Sequence, residues 1–292
     1  MDTAIPSCPS IAPAELAMRL GRPDAPQLLD VRPPSQFAAS DRLVASAQRC
    51  APADLDAWSR MAPASQVVVY CTQGHEVSRR AAASLRAAGW NARALAGGFE
   101  GGEHGLDPDT SIRGWRSLRP PTIRKRPDLG VTGERPSRWV TRERPKVDRI
   151  ACPWLIRRFI DPRADIFYVP ADRVLEQAAT LGAVPFDIPG VALSHRWERC
   201  SFDALLEAFD LRLPALDRLG AIVRGADTGR PSLTPQSGGL LALSLGLSQL
   251  HADDGRALQA GMGLYDALYA WCRNPDAETH TWQAHELQGG PS

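Results

Sequence analysis

The chain has 292 residues, 43% of them hydrophobic, with 34 basic and 33 acidic side chains and a formal charge of +1 at neutral pH. That length favours about two domains with real cores, and the balanced charge gives no global attraction to nucleic acid or to an anionic membrane. The start lacks a basic segment followed by an apolar one, and no run of about 18 apolar residues occurs, so neither a signal peptide nor a membrane span is expected. Six cysteines (Cys8, Cys50, Cys71, Cys152, Cys200 and Cys272) are scattered without a CxxC pair. At this size that favours reduced thiols in a cytoplasm over a disulfide scaffold.

The apolar run 66–70 reads as a buried strand, and Cys71 follows it directly. Residues 72–79 form a polar loop, and the Ala-rich stretch 80–88, closed by Gly89, reads as a helix. A thiol at the tip of a strand, in a loop that opens a helix, sits among backbone N–H groups at the positive end of the helix dipole. Such a place is expected to lower a cysteine pKa and to bind anions. Many cysteines are only small buried apolar residues; here strand, loop, Gly74 and helix agree on a reactive thiol. His75 lies in the same loop and is a candidate for tuning it.

From 106 to 137 the chain is rich in Pro, Arg and Gly with little apolar periodicity, which reads as a solvated, partly extended linker. Its local charge is basic, a reading that leaves a contact with an acidic partner open. A second pattern follows: a strand at 164–170, a helix at 172–181, and a short strand or turn at 185–190. Ser201 is placed to cap a helix at 202–209. Further helices are expected at 214–223 and at 240–247, the latter behind the cap pair Thr234-Pro235. A last helix runs from Asp253-Asp254 to Cys272, with Leu258, Met262, Tyr265, Leu268, Tyr269 and Cys272 at helical spacing and therefore core. The end is expected to fray.

The second half also offers candidate ligands. His195, Glu198 and Cys200 fall within six residues, and Asp227 is a further carboxylate read as a loop residue. All are metal-ligand types, and together they are candidates for an open mononuclear site, Zn or Fe, although the spacing matches no standard zinc signature. The bland alternative is a set of hydrogen-bonded loop groups. Asp148, Arg149, Arg157 and Arg158 are anion candidates, since Arg forks match oxyanions. Cys152, before Pro153, is placed at a helix start, where a thiolate is stabilised, or else in the core beside Trp154.

Two resemblances add to this reading. Gln27-Leu28-Leu29-Asp30-Val31-Arg32-Pro33 with Phe37, the strand and loop at Cys71, and Ala94-Leu95-Ala96-Gly97-Gly98-Phe99 resemble rhodanese domains over about 11–104. The resemblance implies a Cys71 thiolate that carries a persulfide sulfur. The loop amides of Thr72, Gln73, Gly74, Glu76, Val77, Ser78 and Arg79 would cradle it, and Asp30 and Arg32 would shape and charge its surroundings. Ser78 stands seven residues after Cys71, one more than the family pattern, and a longer loop suits relatives that handle phosphate or arsenate. Those phosphatases place Arg where this chain has Val77, so ester hydrolysis is not expected. Gly102 stands where the family commonly has Trp, which fits a loose domain end.

Residues 147–159, 186–191, 194–203, 223–228 and 264–269 resemble the C-terminal domain of chromate-resistance regulators of the ChrB type, collinearly over about 138–273. That implies a role in the response to chromate. Full regulators carry a winged-helix-like half before this domain; a rhodanese-like half stands there instead, so direct DNA binding is not expected. The expected architecture is an α/β rhodanese-like domain at 1–105 (parallel sheet with flanking helices), the linker at 106–137, a mostly helical α+β domain at 138–275 and a tail at 276–292. The expected function is thiolate chemistry at Cys71, either sulfur transfer or oxyanion binding and reduction. A small oxyanion or sulfur donor and a thiol reductant would be its partners, and a second thiol would resolve the adduct. A non-catalytic chromate or metal sensor is the alternative.

Overall fold

A computed structural model describes residues 9–277 with residue 62 left out. The first half holds β1 (Ser10–Ile11), α1 (Pro13–Arg19), β2 (Gln27–Asp30), α2 (Pro34–Ala39), β3 (Arg42–Val44), β4 (Ala47–Arg49), α3 (Leu55–Met61), β5 (Gln66–Tyr70), α4 (Glu76–Ala87) and β6 (Asn91–Leu95). Strands β1-β6-β5-β2-β4 form one parallel sheet in that order. The middle strands β2 and β5 are buried along nearly their whole length, as a parallel sheet covered by helices requires. Helix α4 begins four residues before the position read from composition. It buries Ser78, Ala81, Ala82 and Leu85, spaced three, four and seven residues from the first, so one stripe lies against the sheet.

The segment 106–137 is not a solvated linker. It forms α5 (Asp109–Leu118) and β7 (Thr122–Arg124). Ile112 and Trp115 on one face of α5 are buried, and β7 pairs antiparallel with β3 through Arg42 to Arg124 and Val44 to Thr122. Composition hid this because the buried residues here are few and widely spaced among Pro and Arg. Beyond Gly102 the chain passes through a short turn into α5.

The second half holds β8 (Arg138–Arg142), α6 (Val147–Leu155), β9 (Asp165–Val169), α7 (Val174–Leu181), β10 (Val184–Pro185), α8 (Ser201–Ala208), α9 (Pro214–Asp227), α10 (Ser237–Leu250) and α11 (Asp254–Arg273). Strands β10-β8-β9 make a small parallel sheet. The architecture is thus an α/β half with a parallel sheet and flanking helices, followed by a mostly helical α+β half. Several boundaries differ from the sequence reading. Cys200, not Ser201, is the N-cap of α8, and its N–H donates to the Asp203 carboxylate at 3.0 Å. Helix α10 starts after Gln236, with Thr234 and Pro235 outside it. Helix α9 runs on to Asp227, which is a helix-end residue rather than a loop carboxylate.

Helix α6 carries Pro153 inside it and passes into a wide π turn at Ile156–Ile160. Proline has no N–H for the carbonyl four residues back. That carbonyl, of Arg149, accepts instead from the Tyr168 hydroxyl at 2.7 Å. The Tyr265 hydroxyl donates to the Val147 carbonyl at 3.0 Å, so β9 and α11 together hold the start of α6.

The two halves share one core. Ile11, Leu16, Leu20, Leu43 and Val44 of the first join Trp139, Trp154, Phe159 and Tyr269 of the second in a single buried cluster. Gly21, at φ +77°, lies where an added Cβ would meet the Phe159 ring at 2.2 Å. Ser46 N–H donates to the Phe159 carbonyl at 2.7 Å, and Arg42 pairs with Asp210 at 2.7 Å. Among the described residues, no helix is long and apolar enough to cross a membrane. The expected tail falls outside the described residues from 278 onward, and so does Cys8.

Candidate functional site

Cys71 follows the last residue of β5 at the C-terminal edge of the parallel sheet, the edge where ligands meet α/β folds. Its Sγ is 3.2 Å from Ser78 Oγ in the first turn of α4, and Ser78 Oγ in turn donates to the His75 carbonyl at 3.3 Å. Among the described residues, the amides of Thr72 through Ser78 have no carbonyl or side-chain acceptor; the Arg79 amide is spent on the His75 carbonyl at 3.1 Å. A loop of N–H groups without protein acceptors at a helix N-terminus offers donors of the kind that suit an anion. Cys71 itself is 5% exposed.

The loop is stapled to the turn after β6. Phe99 N–H donates to the carbonyls of Cys71 and Thr72, both at 2.9 Å, and Glu100 N–H donates to Thr72 at 2.8 Å. The approach is so close that a Cβ on Gly98 would meet Gly74 N at 2.3 Å and the Cys71 carbonyl oxygen at 2.6 Å. Both glycines have positive φ, at +61° and +79°. The Thr72 hydroxyl donates to Gln36 Oε1, tying the loop to α2.

Asp30 and Arg32 are both buried and form a closed pair. Arg32 Nη2 is 2.6 Å from Asp30 Oδ2, and the Tyr70 hydroxyl donates to the same oxygen at 3.0 Å. The Arg32 guanidinium lies 4.3 Å from the centre of the Phe99 ring. The pair is closed off from solvent and touches the Cys71 loop through Phe99, whose amide holds the Cys71 carbonyl. His75 points its ring away from the thiol toward α5: Nε2 is 2.6 Å from Asp107 Oδ2 and Nδ1 is 3.7 Å from Glu103 Oε2. Asp107 is held below its usual range, first by the Glu103 amide and then by His75. A cavity of about 510 Å³ opens beside the loop, lined by Gly74, Arg79, Gly97, Asp107, Trp115 and Leu118.

The second-half candidates divide. His195 and Asp227 come together and are joined by Asp148, which opens α6, and Asp187, in the turn after β10. His195 Nε2 is 2.9 Å from Asp227 Oδ2, 3.3 Å from Asp187 Oδ1 and 3.5 Å from Asp148 Oδ2. Ser201 ties the set down: its N–H donates to Asp148 Oδ2 at 2.5 Å and its hydroxyl to Asp187 Oδ1 at 2.7 Å. Burial pushes the Asp148 carboxyl up to about 7, partly opposed by His195. His195 is pushed up to about 12 by Asp148, Asp187 and Asp227. Asp148 rises chiefly because it is buried, and His195 because three carboxylates surround it.

Glu198 and Cys200 are not part of this cluster, which corrects the sequence-derived ligand set. Glu198 is exposed and pairs with Arg230 at 3.0 Å. Cys200 is fully buried, and burial drives its thiol pKa far up. Cys152 is also buried, well inside α6 rather than at its start, and burial with nearby Asp148 raises it too, so no stabilised thiolate exists there. Arg149 is 3.5 Å from Asp187 Oδ2, with Arg142 at 3.4 Å, so it balances the carboxylates rather than facing a free anion. Arg158 is held by both oxygens of Asp266 and Arg157 by the Ala164 carbonyl. Asp187 went unrecognised as a ligand because its turn gives no ligand-type spacing; its φ of +53° appears only in the fold.

Residues 12–104 match the rhodanese-like domain, and residues 139–272 match the ChrB C-terminal domain. The protein ChrB of Cupriavidus metallidurans is 35% identical over 156 residues, 50% of this chain. The chain spans 47% of that relative's length. Among solved structures, a rhodanese homologue from the extreme thermophile Thermus thermophilus is 27% identical, covering 31% of this chain and 95% of its own, at a TM-score of 0.25. The thiosulfate sulfurtransferase of Pseudomonas aeruginosa is 27% identical, covering 32% of this chain and 18% of its own, at a TM-score of 0.29. The chain thus carries one segment that matches the rhodanese-like domain and a second that matches the ChrB C-terminal domain.

Proposed function

We propose that this protein carries out sulfur transfer through a Cys71 persulfide, in the service of chromate resistance. The observation that carries the reading is the Cys71 loop: a thiol 3.2 Å from Ser78 Oγ, next to amides 72–78 that have no acceptor among the described residues. In the first step the Cys71 thiolate attacks the outer sulfur of a sulfane donor such as thiosulfate. The donor S–S bond breaks, its electron pair leaves with sulfite, and the loop amides stabilise the anionic persulfide. An acceptor thiolate then attacks the terminal sulfur and the Cys71 thiolate is released. In this reading the accepting thiol comes from solution; the other four described cysteines are buried. The same cradle suits a tetrahedral oxyanion, and reduction of one by an external thiol is the alternative chemistry of this loop.

The link to chromate rests on the ChrB-type half and on the relative named ChrB. Incubation with thiosulfate and a thiol acceptor, followed by intact mass measurement, tests the proposal. Turnover is expected, with a species one sulfur atom heavier at Cys71 and neither in Cys71→Ser. Equal turnover in Cys71→Ser would overturn it. A protein that binds chromate but never forms the persulfide would instead be a sensor.

A further inference from the structure

We infer that Asp148, Asp187, His195 and Asp227 form a binding site for one divalent transition-metal cation, with a donor set of three carboxylate oxygens and one imidazole nitrogen. The site is separate from Cys71 and independent of the sulfur-transfer reading. Its four donor atoms lie within 4.8 Å of one another.

Proton bookkeeping is the first argument. His195 Nε2 stands 2.9, 3.3 and 3.5 Å from oxygens of Asp227, Asp187 and Asp148. A single N–H donates well to one acceptor, and one proton cannot serve three. Ligands about 2.1 Å from a shared cation stand about 3.0 Å apart at right angles and about 3.4 Å apart at tetrahedral angles. The three separations from His195 Nε2 fall in or near that range, and all four donor atoms lie within 4.8 Å of one another.

The second argument is an unpaired buried atom. Asp148 is 1% exposed, and its Oδ1 has no hydrogen-bond partner. A buried carboxylate oxygen without a partner is costly unless a proton, a donor or a cation takes it up, and Oδ1 is thus a second oxygen that Asp148 offers beside Oδ2. The other carboxylate oxygens are already oriented from behind: Ser201 N–H and Oγ serve Asp148 and Asp187, and Asp148 N–H donates to Asp227 Oδ1 at 3.3 Å. Arg142 and Arg149 hold the far oxygen of Asp187 at 3.4 and 3.5 Å. Outer groups that fix ligand orientation in this way are the usual support of a metal centre.

The elements agree. Asp148 comes from the start of α6, Asp227 from the end of α9, and Asp187 and His195 from the two arms of the turn in which Asp187 N–H donates to the Leu193 carbonyl at 3.0 Å. His195 is the most exposed member, its side chain 39% accessible, so the site opens to solvent on that side. Carboxylate oxygens with one imidazole suit Mn²⁺, Fe²⁺ or Zn²⁺ better than a thiolate-seeking ion, and four protein donors leave a position for water or an oxyanion.

The test uses the full chain made without an affinity tag, stripped by a chelator and then titrated with Mn²⁺ or Zn²⁺ alone. Bound metal is measured after desalting, alongside the melting temperature. Retention of about one equivalent with a concentration-dependent rise in melting temperature is expected. At least a tenfold weaker uptake is expected in Asp148→Asn and in His195→Ala, with Glu198→Ala, Cys200→Ser and Cys71→Ser unchanged. Should circular dichroism show Asp148→Asn unfolded, the less buried Asp227→Asn replaces it. A wild type that retains neither metal would overturn the inference, as would ligand variants that bind like wild type.

Discussion

Ser78 Oγ lies 3.2 Å from Cys71 Sγ and is itself anchored on the His75 carbonyl, so the hydroxyl's position is set before any substrate arrives. A hydroxyl so placed turns its proton toward a thiolate more readily than toward a thiol.

Ser78→Ala removes that donor. A hydrogen bond to a charged group is worth about 1.5–3 kcal/mol, so kcat/KM for sulfur transfer should fall roughly tenfold to a hundredfold. An unchanged kcat/KM would show that the hydroxyl only fills space.

Gly98→Ala places a methyl 2.3 Å from Gly74 N, at a φ of +61°. The loop and the turn cannot both keep their positions. Stability should drop by about 1–3 kcal/mol and persulfide formation should be lost. Thermal unfolding with mass detection of the persulfide reads both; a variant with wild-type turnover would show that the staple does not shape the cradle.

Asp30→Ala leaves the Arg32 guanidinium buried, its side chain 2% exposed, without its carboxylate. Breaking such a pair costs about 3–5 kcal/mol, measurable by denaturant titration. Since Arg32 lies over Phe99, whose amide holds Cys71, activity should fall even where the variant is still folded. Retained stability would mean that water, or an acceptor such as the Arg42 carbonyl already 2.9 Å from Arg32 Nη2, compensates for the lost carboxylate.

Lys125 tests the junction by pH. Burial, and next the charge of Arg32, pulls its amine down from 10.5 to about 8. The unfolded chain therefore holds that proton up to a higher pH than the folded one. The group's contribution disfavours the fold below pH 8 and is relieved as pH rises from about 8 toward 10.5. The chain has only two lysines, so the titration of Lys125 can be followed against Lys146 after isotopic dimethylation. A midpoint near that of a free amine would show that the β7 segment does not cover it.

Local sequence carried much of this protein. The run 66–70 before Cys71, and the amphipathic stretch that buries Ser78, Ala81, Ala82 and Leu85, make the strand-loop-helix unit legible because each depends on neighbours a few residues away. The same holds for α11, whose spacing of Leu258, Tyr265 and Tyr269 marks its buried face. What depends on distant partners was not legible. Composition around Trp115 and Ile123 describes a surface linker, yet these residues are buried because α1, β3 and the second half close over them. Cys200 and Glu198 stand near His195 in the chain, but the α8 start turns one into the core and the other to solvent. Asp148 and Asp187 reach His195 from 47 and 8 residues away because α6 and the turn after β10 are packed side by side. Spacing along a chain reports ligands only when they share one local element. Here four candidate donors from the start of α6, the end of α9 and one turn meet, and only the packing of those segments decides it.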